Sequence, residues 1–176
     1  MSRSRRFGAF LVTMLAATGS VLALAGPARA EAAAQTCVGT WAVTYDPPIT
    51  NTPRLVAGVL TGTFPVCTDP QAFTASYTQV FTDTVSCTTL LNAGSTSRTY
   101  VWGNPLAAPT TFTYNFTTTV VGAQVLVTNT GLITAGRYAP GSAVQVATLV
   151  TPDALACAGS GVGSLTGPTT LTIYAP

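Results

Sequence analysis

The sequence predicts an all-β domain, an antiparallel, immunoglobulin-like sandwich of seven or eight strands, and three observations predict it. Residues 31–176 contain 31 threonines among 146 positions, with valine and aromatics filling much of the rest, and these residue types favour pleated, half-buried backbone. The helix formers Lys, Glu and Met are nearly absent from the same stretch. Apolar and polar residues alternate with period two between clusters of Gly, Pro, Asn and Asp. A closed barrel is the alternative architecture, because alternation does not report whether the last strand pairs with the first.

Residues 1–30 read as a cleaved signal peptide. Arg3, Arg5 and Arg6 precede the apolar run Ala9 to Ala25, and Ala28-Arg29-Ala30 is a small-x-small cleavage site. Arg5-Arg6 invites a twin-arginine reading, but disulfide proteins ordinarily cross unfolded, which favours general secretion. Cleavage leaves one domain, 31–176, with three arginines (Arg54, Arg98, Arg137) against five acids (Glu31, Asp46, Asp69, Asp83, Asp153), a net charge of −2 where the whole chain has +2. Without Lys or His this domain has no basic surface for phosphate backbones, so nucleic acid is excluded as a partner. No apolar run after residue 30 approaches the roughly 20 residues of a membrane span. The expected location is secreted, extracellular.

Strands are expected near 37–46, 55–65, 73–89, 96–103, 110–121, 124–135, 142–151 and 168–174, separated by turns at Pro47-Pro48, Asp69-Pro70, Asn92-Ala93-Gly94, Asn104-Pro105, Gly122-Ala123, Pro140-Gly141 and 159–163. In the first strand, alternation turns Trp41, Val43 and Tyr45 inward and Thr40, Ala42 and Thr44 outward. In the fourth and fifth, a register placing Trp102 opposite Phe112 and Tyr100 opposite Tyr114 gathers four rings on one face. The fifth alternates most clearly, with Phe112, Tyr114 and Phe116 inward. Gly122-Ala123 suits a two-residue type II′ hairpin, setting Val120 opposite Val125, Phe116 opposite Asn129 and Tyr114 opposite Gly131, a ring over a strand glycine. In the seventh strand, Val144, Val146 and Val150 are expected inside. The glycines at 159, 161 and 163 read as a flexible turn, since no Lys follows to make a phosphate loop.

Cys37, Cys67, Cys87 and Cys157 form an even set in an exported chain, which argues for two disulfides among three possible pairings. Their spacing and the absence of His argue against zinc. If the first hairpin turns around Pro47 to Pro53, opposite residue numbers sum to about 104, as those of Cys37 and Cys67 do, leaving Cys87 with Cys157.

Without His or Lys, the imidazole-based and lysine-based nucleophile mechanisms are closed. Asp46 and Asp69, each beside a proline, read as turn residues, and Asp83 as a solubilising charge. No catalytic residue, metal site or cofactor is assigned. The outward residues Thr113, Asn115 and Thr117 would face Thr128 and Thr130 as a flat hydroxyl array, a candidate binding face with the loop residue Tyr138 as its exposed aromatic; a plain solvated sheet accounts for the same pattern. Trp41 and Trp102 read as core.

The segments Cys37-Val38-Gly39-Thr40, Tyr45-Asp46-Pro47-Pro48-Ile49-Thr50, Phe112-Thr113-Tyr114-Asn115 and Gly167-Pro168-Thr169-Thr170-Leu171-Thr172-Ile173 resemble a family of small secreted actinobacterial all-β proteins with no assigned function. The resemblance implies export and the fold, and brings no catalytic positions. The functional expectation is a non-catalytic extracellular module that binds another protein or a cell-envelope polymer. The alternative is a carrier of an apolar small molecule, held between sheets or under the Asn104 to Pro109 loop. A carboxylate-based hydrolase ranks last.

Overall fold

Long alternating runs joined by short connections, the last of them carrying one helical turn, lay each strand beside its sequence neighbour, and here that process continues until the sheet meets itself. The computed structural model describes residues 32–90 and 93–176; the signal-peptide expectation, and Asn92 of one predicted turn, lie outside them. The strands are β1 (Ala33–Ile49), β2 (Arg54–Cys67), β3 (Ala75–Val85), β4 (Ala93–Trp102), β5 (Thr110–Val121), β6 (Gln124–Ala135), β7 (Ser142–Val150) and β8 (Val162–Tyr174), with one short helix, α1 (Ala154–Ala158). All pairings are antiparallel and follow chain order, and β1 pairs with β8 to close an eight-stranded barrel.

The expected sandwich is therefore corrected to the barrel. β1–β8 pairing extends from Ala33↔Tyr174 to Ile49↔Val162 and leaves neither of those strands a free edge. Strand patterning is the same for both architectures, and only this contact between the two ends of the chain separates them.

Both disulfides form as the register arithmetic requires, Cys37–Cys67 and Cys87–Cys157. Cys37 and Cys67 are directly opposite; beyond them a bulge between Val38 and Thr40 shifts the pairing by one residue. Gly39 sits in that bulge, where a Cβ would stand 2.0 Å from the Thr63 carbonyl oxygen. The β5–β6 hairpin has the predicted register, with φ of 61° at Gly122 as a type II′ turn needs. Tyr114 does pair with Gly131, but a Cβ there would meet backbone at Thr113 and Tyr114. Ring-over-glycine packing occurs instead at Gly58 under Phe81 and Gly62 under Tyr77, where a Cβ would come within 2.1 and 2.2 Å of the rings.

Three expectations change. The β4–β5 register pairs Arg98 with Phe112 and Tyr100 with Thr110, four residues from the expected one, because Val101 and Trp102 pair back onto β3. An even slip preserves facing, so Tyr100, Trp102, Phe112 and Tyr114 are all still buried. The phase of β7 is opposite to the expected one. Ala143, Gln145, Ala147 and Leu149 face inward, whereas Val144 and Val146 are half-buried and Val150 is exposed. Large rings from β3, β4 and β5 already fill that level of the barrel, so small residues fit opposite them. Finally, β1 runs through Pro47-Pro48 to Ile49, and 159–163 divides between the end of α1 and the start of β8.

Candidate functional site

The barrel has two unlike ends. One carries the β2–β3, β4–β5 and β6–β7 connections and is shut. There Phe64, Tyr100 and Phe112 are fully buried, with Tyr100 packed edge-on to Tyr77 at 5.3 Å and Trp102 edge-on to Tyr138 at 5.5 Å. Gln35, also fully buried, donates to the Ala72 carbonyl and accepts from Thr68 Oγ1 and the Asp69 amide. Asp69 Oδ2 accepts from Arg137 Nη2 and from the Tyr138 hydroxyl, each at 2.6 Å. Burial alone would raise the Asp69 pKa, but the bonds from Tyr138, Arg137 and the Gln71 amide outweigh it and hold the carboxyl below its usual range.

The opposite end is open. β3 pairs with β2 along its whole length, yet with β4 only at Ala75↔Trp102 and Ser76↔Val101. Beyond Tyr77 the two strands part. Gln79 spans the seam, its Nε2 donating to Thr96 Oγ1 at 3.2 Å and to the Ser97 carbonyl at 3.4 Å. A cavity of about 320 Å³ occupies this half, lined by Trp41, Tyr45, Leu60, Phe81, Phe116 and Leu165 among others, with Gln79, Asp83, Val85 and Thr96 from the two edges of the seam. Cys87–Cys157 fastens the segment after β3 to α1 at this end, aided by the Cys87 amide on the Thr50 carbonyl and the Asn51 amide on the Cys157 carbonyl. Asp153 caps α1 by accepting from the Leu155 and Ala156 amides.

A polar layer divides the two halves, centred on Arg98. Its guanidinium carbon lies 4.4 Å from the ring centroids of both Tyr77 and Tyr114. Nε and Nη2 donate to the Tyr114 hydroxyl, and Nη1 donates to the Tyr77 hydroxyl and to Gln145 Oε1. Gln145 Oε1 also accepts from Tyr100, and its Nε2 donates to Tyr77 and Thr169. Burial lifts the Tyr77 and Tyr100 phenols above their ordinary range, an effect the Arg98 charge only partly offsets, so both are neutral at pH 7. Tyr45, at the cavity wall, is pushed up to about 12 by burial.

Of the sequence-predicted face, Thr113, Asn115, Thr117, Thr128 and Thr130 do lie together outside the barrel, with Asn115 opposite Thr130 and Thr117 opposite Thr128. Tyr138 does not join them. It is half-buried in the shut end, with φ of 71°, because Asp69 and Trp102 hold it. The cavity is also not under the Asn104 to Pro109 loop, which closes the other end. The four acids among the described residues do not pair: Asp69 belongs to the shut end, Asp153 caps α1, and Asp83 follows the inward phase of β3 to the cavity rim, whereas Asp46, next after the inward Tyr45, takes the outer phase of β1. Among the described residues no group of three or more His, Cys, Asp or Glu is placed to hold a metal, and no helix is long and apolar enough to cross a membrane.

The sequence reading missed Arg98, Gln145, Asn129 and Gln79. A signal existed for Arg98 and Asn129. Arg98 is two residues from the inward Tyr100, and Asn129 was set opposite the inward Phe116, so each shares an inward phase. No protein-family model, curated protein or solved structure matches the chain.

Proposed function

We propose that this barrel is a secreted binding protein for a small, mainly apolar molecule held in its open half. The observation that carries this reading is the 320 Å³ cavity walled by aromatic and aliphatic side chains above a polar floor, since ligand sites are apolar concavities with a few placed polar groups. Its volume equals that of about ten waters, and because bonded atoms pack more closely than separate waters it suits a compact ligand of about ten to seventeen non-hydrogen atoms. A second depression of about 520 Å³, over the β1–β2–β3 rim, mixes outer-face residues such as Thr44, Val59 and Val80 with rim residues and has no buried unpaired donor among its lining. Two disulfides and the cleavable N-terminal signal read from the sequence support an oxidising, extracellular setting.

The test is titration with the neutral probe N-phenyl-1-naphthylamine, followed by its fluorescence and by quenching of the tryptophans. The expected result is one site per chain with micromolar affinity, abolished by Leu60→Trp, which fills the cavity. A probe that fails to bind, or that binds the Leu60→Trp variant equally well, removes the proposal.

A further inference from the structure

We propose that the ligand carries an acidic head group, a carboxylate, which the cavity receives on Arg98 and Asn129. The inference rests on the binding reading above and adds the ligand's chemical class. Arg98 is only 6% exposed and lines the cavity, yet its hydrogen-bond partners are two phenols and an amide. The one ion pair among the described residues is Arg137 with Asp69, at the shut end. A buried cation is ordinarily matched by an anion, because neutral acceptors only partly replace the hydration it loses. Ring faces on both sides help, but they supply no net negative charge.

Hydrogen-bond counting points the same way. Arg98 has five N–H donors, and four are used: one on Nε, two on Nη1 and one on Nη2. A donor on Nη2 remains. Asn129, 1% exposed on the inward face of β6 and also lining the cavity, has an Nδ2 with no partner. Trp41 Nε1 is buried at the same cavity beside the Tyr77 hydroxyl, with which it does not reach hydrogen-bond geometry. Unsatisfied buried donors are rare, because each gives up its bond to water without gaining one in the protein. Of the three such side-chain donors among the described residues, these two share one cavity with an unneutralised guanidinium, Arg54 Nε lying outside that lining, and no unpaired buried side-chain acceptor accompanies them. The surplus is donors with one net positive charge, the complement of a carboxylate, and Asp83, the acid in the cavity lining, stands exposed at the rim. Apolar walls then take the rest of the molecule.

The experiment displaces N-phenyl-1-naphthylamine from the wild-type protein at pH 7 with 1-naphthoate, 1-naphthamide and 1-naphthalenemethanol. Naphthoate is expected to bind at least tenfold more tightly than either neutral analogue. Arg98→Met should retain the neutral probe and lose the acid preference, and Arg98→Lys should retain part of it. Asn129→Leu is expected to raise the melting temperature of the unliganded protein by removing an unpaired donor, while weakening naphthoate several-fold. Because the wild-type comparison needs no variant, misfolding of a mutant does not obscure the answer. Binding of the neutral probe with equal affinity for acid and neutral analogues overturns the carboxylate inference and leaves the binding reading intact; binding of none of the four compounds overturns both.

Discussion

The two halves of the barrel, on either side of Arg98, are built from the same strands by the same alternation, and yet one is a packed core and the other a cup. In the shut half Phe64, Tyr77, Tyr100 and Phe112 meet ring against ring and fill the interior. In the open half Tyr45, Leu60, Phe81, Phe116, Val127 and Leu165 line the walls but remain half-buried. Strand pairing explains the contrast. β3 and β4 are joined only at their shut-end residues, so the circumference is free to widen where they diverge. An eight-stranded barrel is just wide enough either for side chains to fill it or for a small cavity to remain, and along its axis this barrel is filled in one half and hollow in the other.

The strongest way to break that comparison is to cut one ring from each half. Phe112→Ala should lower unfolding free energy by about 4 kcal/mol, because the site is fully enclosed and the vacated volume cannot collapse. Phe116→Ala, at the cavity wall, should cost about 1 kcal/mol, since its ring already borders empty space. Urea unfolding of both variants measures the difference, and equal losses would mean that the open half is packed as a core.

The disulfides sharpen the contrast next. Each bridge constrains the unfolded chain, and loops of 30 and 70 residues give typical contributions of about 2–4 kcal/mol, larger for the longer. Replacing Cys87 and Cys157 by alanine should therefore lower stability and also weaken the neutral probe, because Thr89 and Leu90 of the cavity lining follow Cys87. Replacing Cys37 and Cys67 should lower stability alone. Thermal unfolding alongside probe titration separates the two effects, and unchanged affinity in the first variant would detach the cavity from its bridge.

Legibility in the sequence follows the range of the interaction that decides each feature. The β5–β6 register was readable because a two-residue turn at Gly122-Ala123 fixes it locally. Cys37–Cys67 was readable because one hairpin sets both residues. The β7 phase was not, because valine's strand preference outweighed any hint that Ala143, Gln145 and Ala147 must fit against rings on distant strands. Closure and the β3–β4 seam depend on contacts between strands far apart around the barrel and leave no local mark. The polar floor lies between these cases. Arg98 shares its phase with Tyr100 and Trp102, and a charge in an inward phase is a visible anomaly, but its meaning needs Tyr77, Tyr114 and Gln145 from three other strands.

The smallest effect belongs to the shut end's outer cap and concerns pH. Asp69 has a folded-state pKa held below its unfolded value of about 3.9. Its contribution is therefore complete above that unfolded value and is lost as pH falls through the folded one. Arg137 is 31% exposed, so the pair is partly screened, and Asp69→Asn should cost about 1 kcal/mol at pH 7. Urea midpoints measured from pH 5 down to pH 2 should fall less steeply in the variant than in the wild type, while probe affinity at pH 7 stays the same in both. A variant with the wild-type acid slope would show that the cap does not depend on the Asp69 charge. A variant with altered probe affinity would show that the two ends of the barrel are coupled, and that the division between packed core and cup is not a division of function.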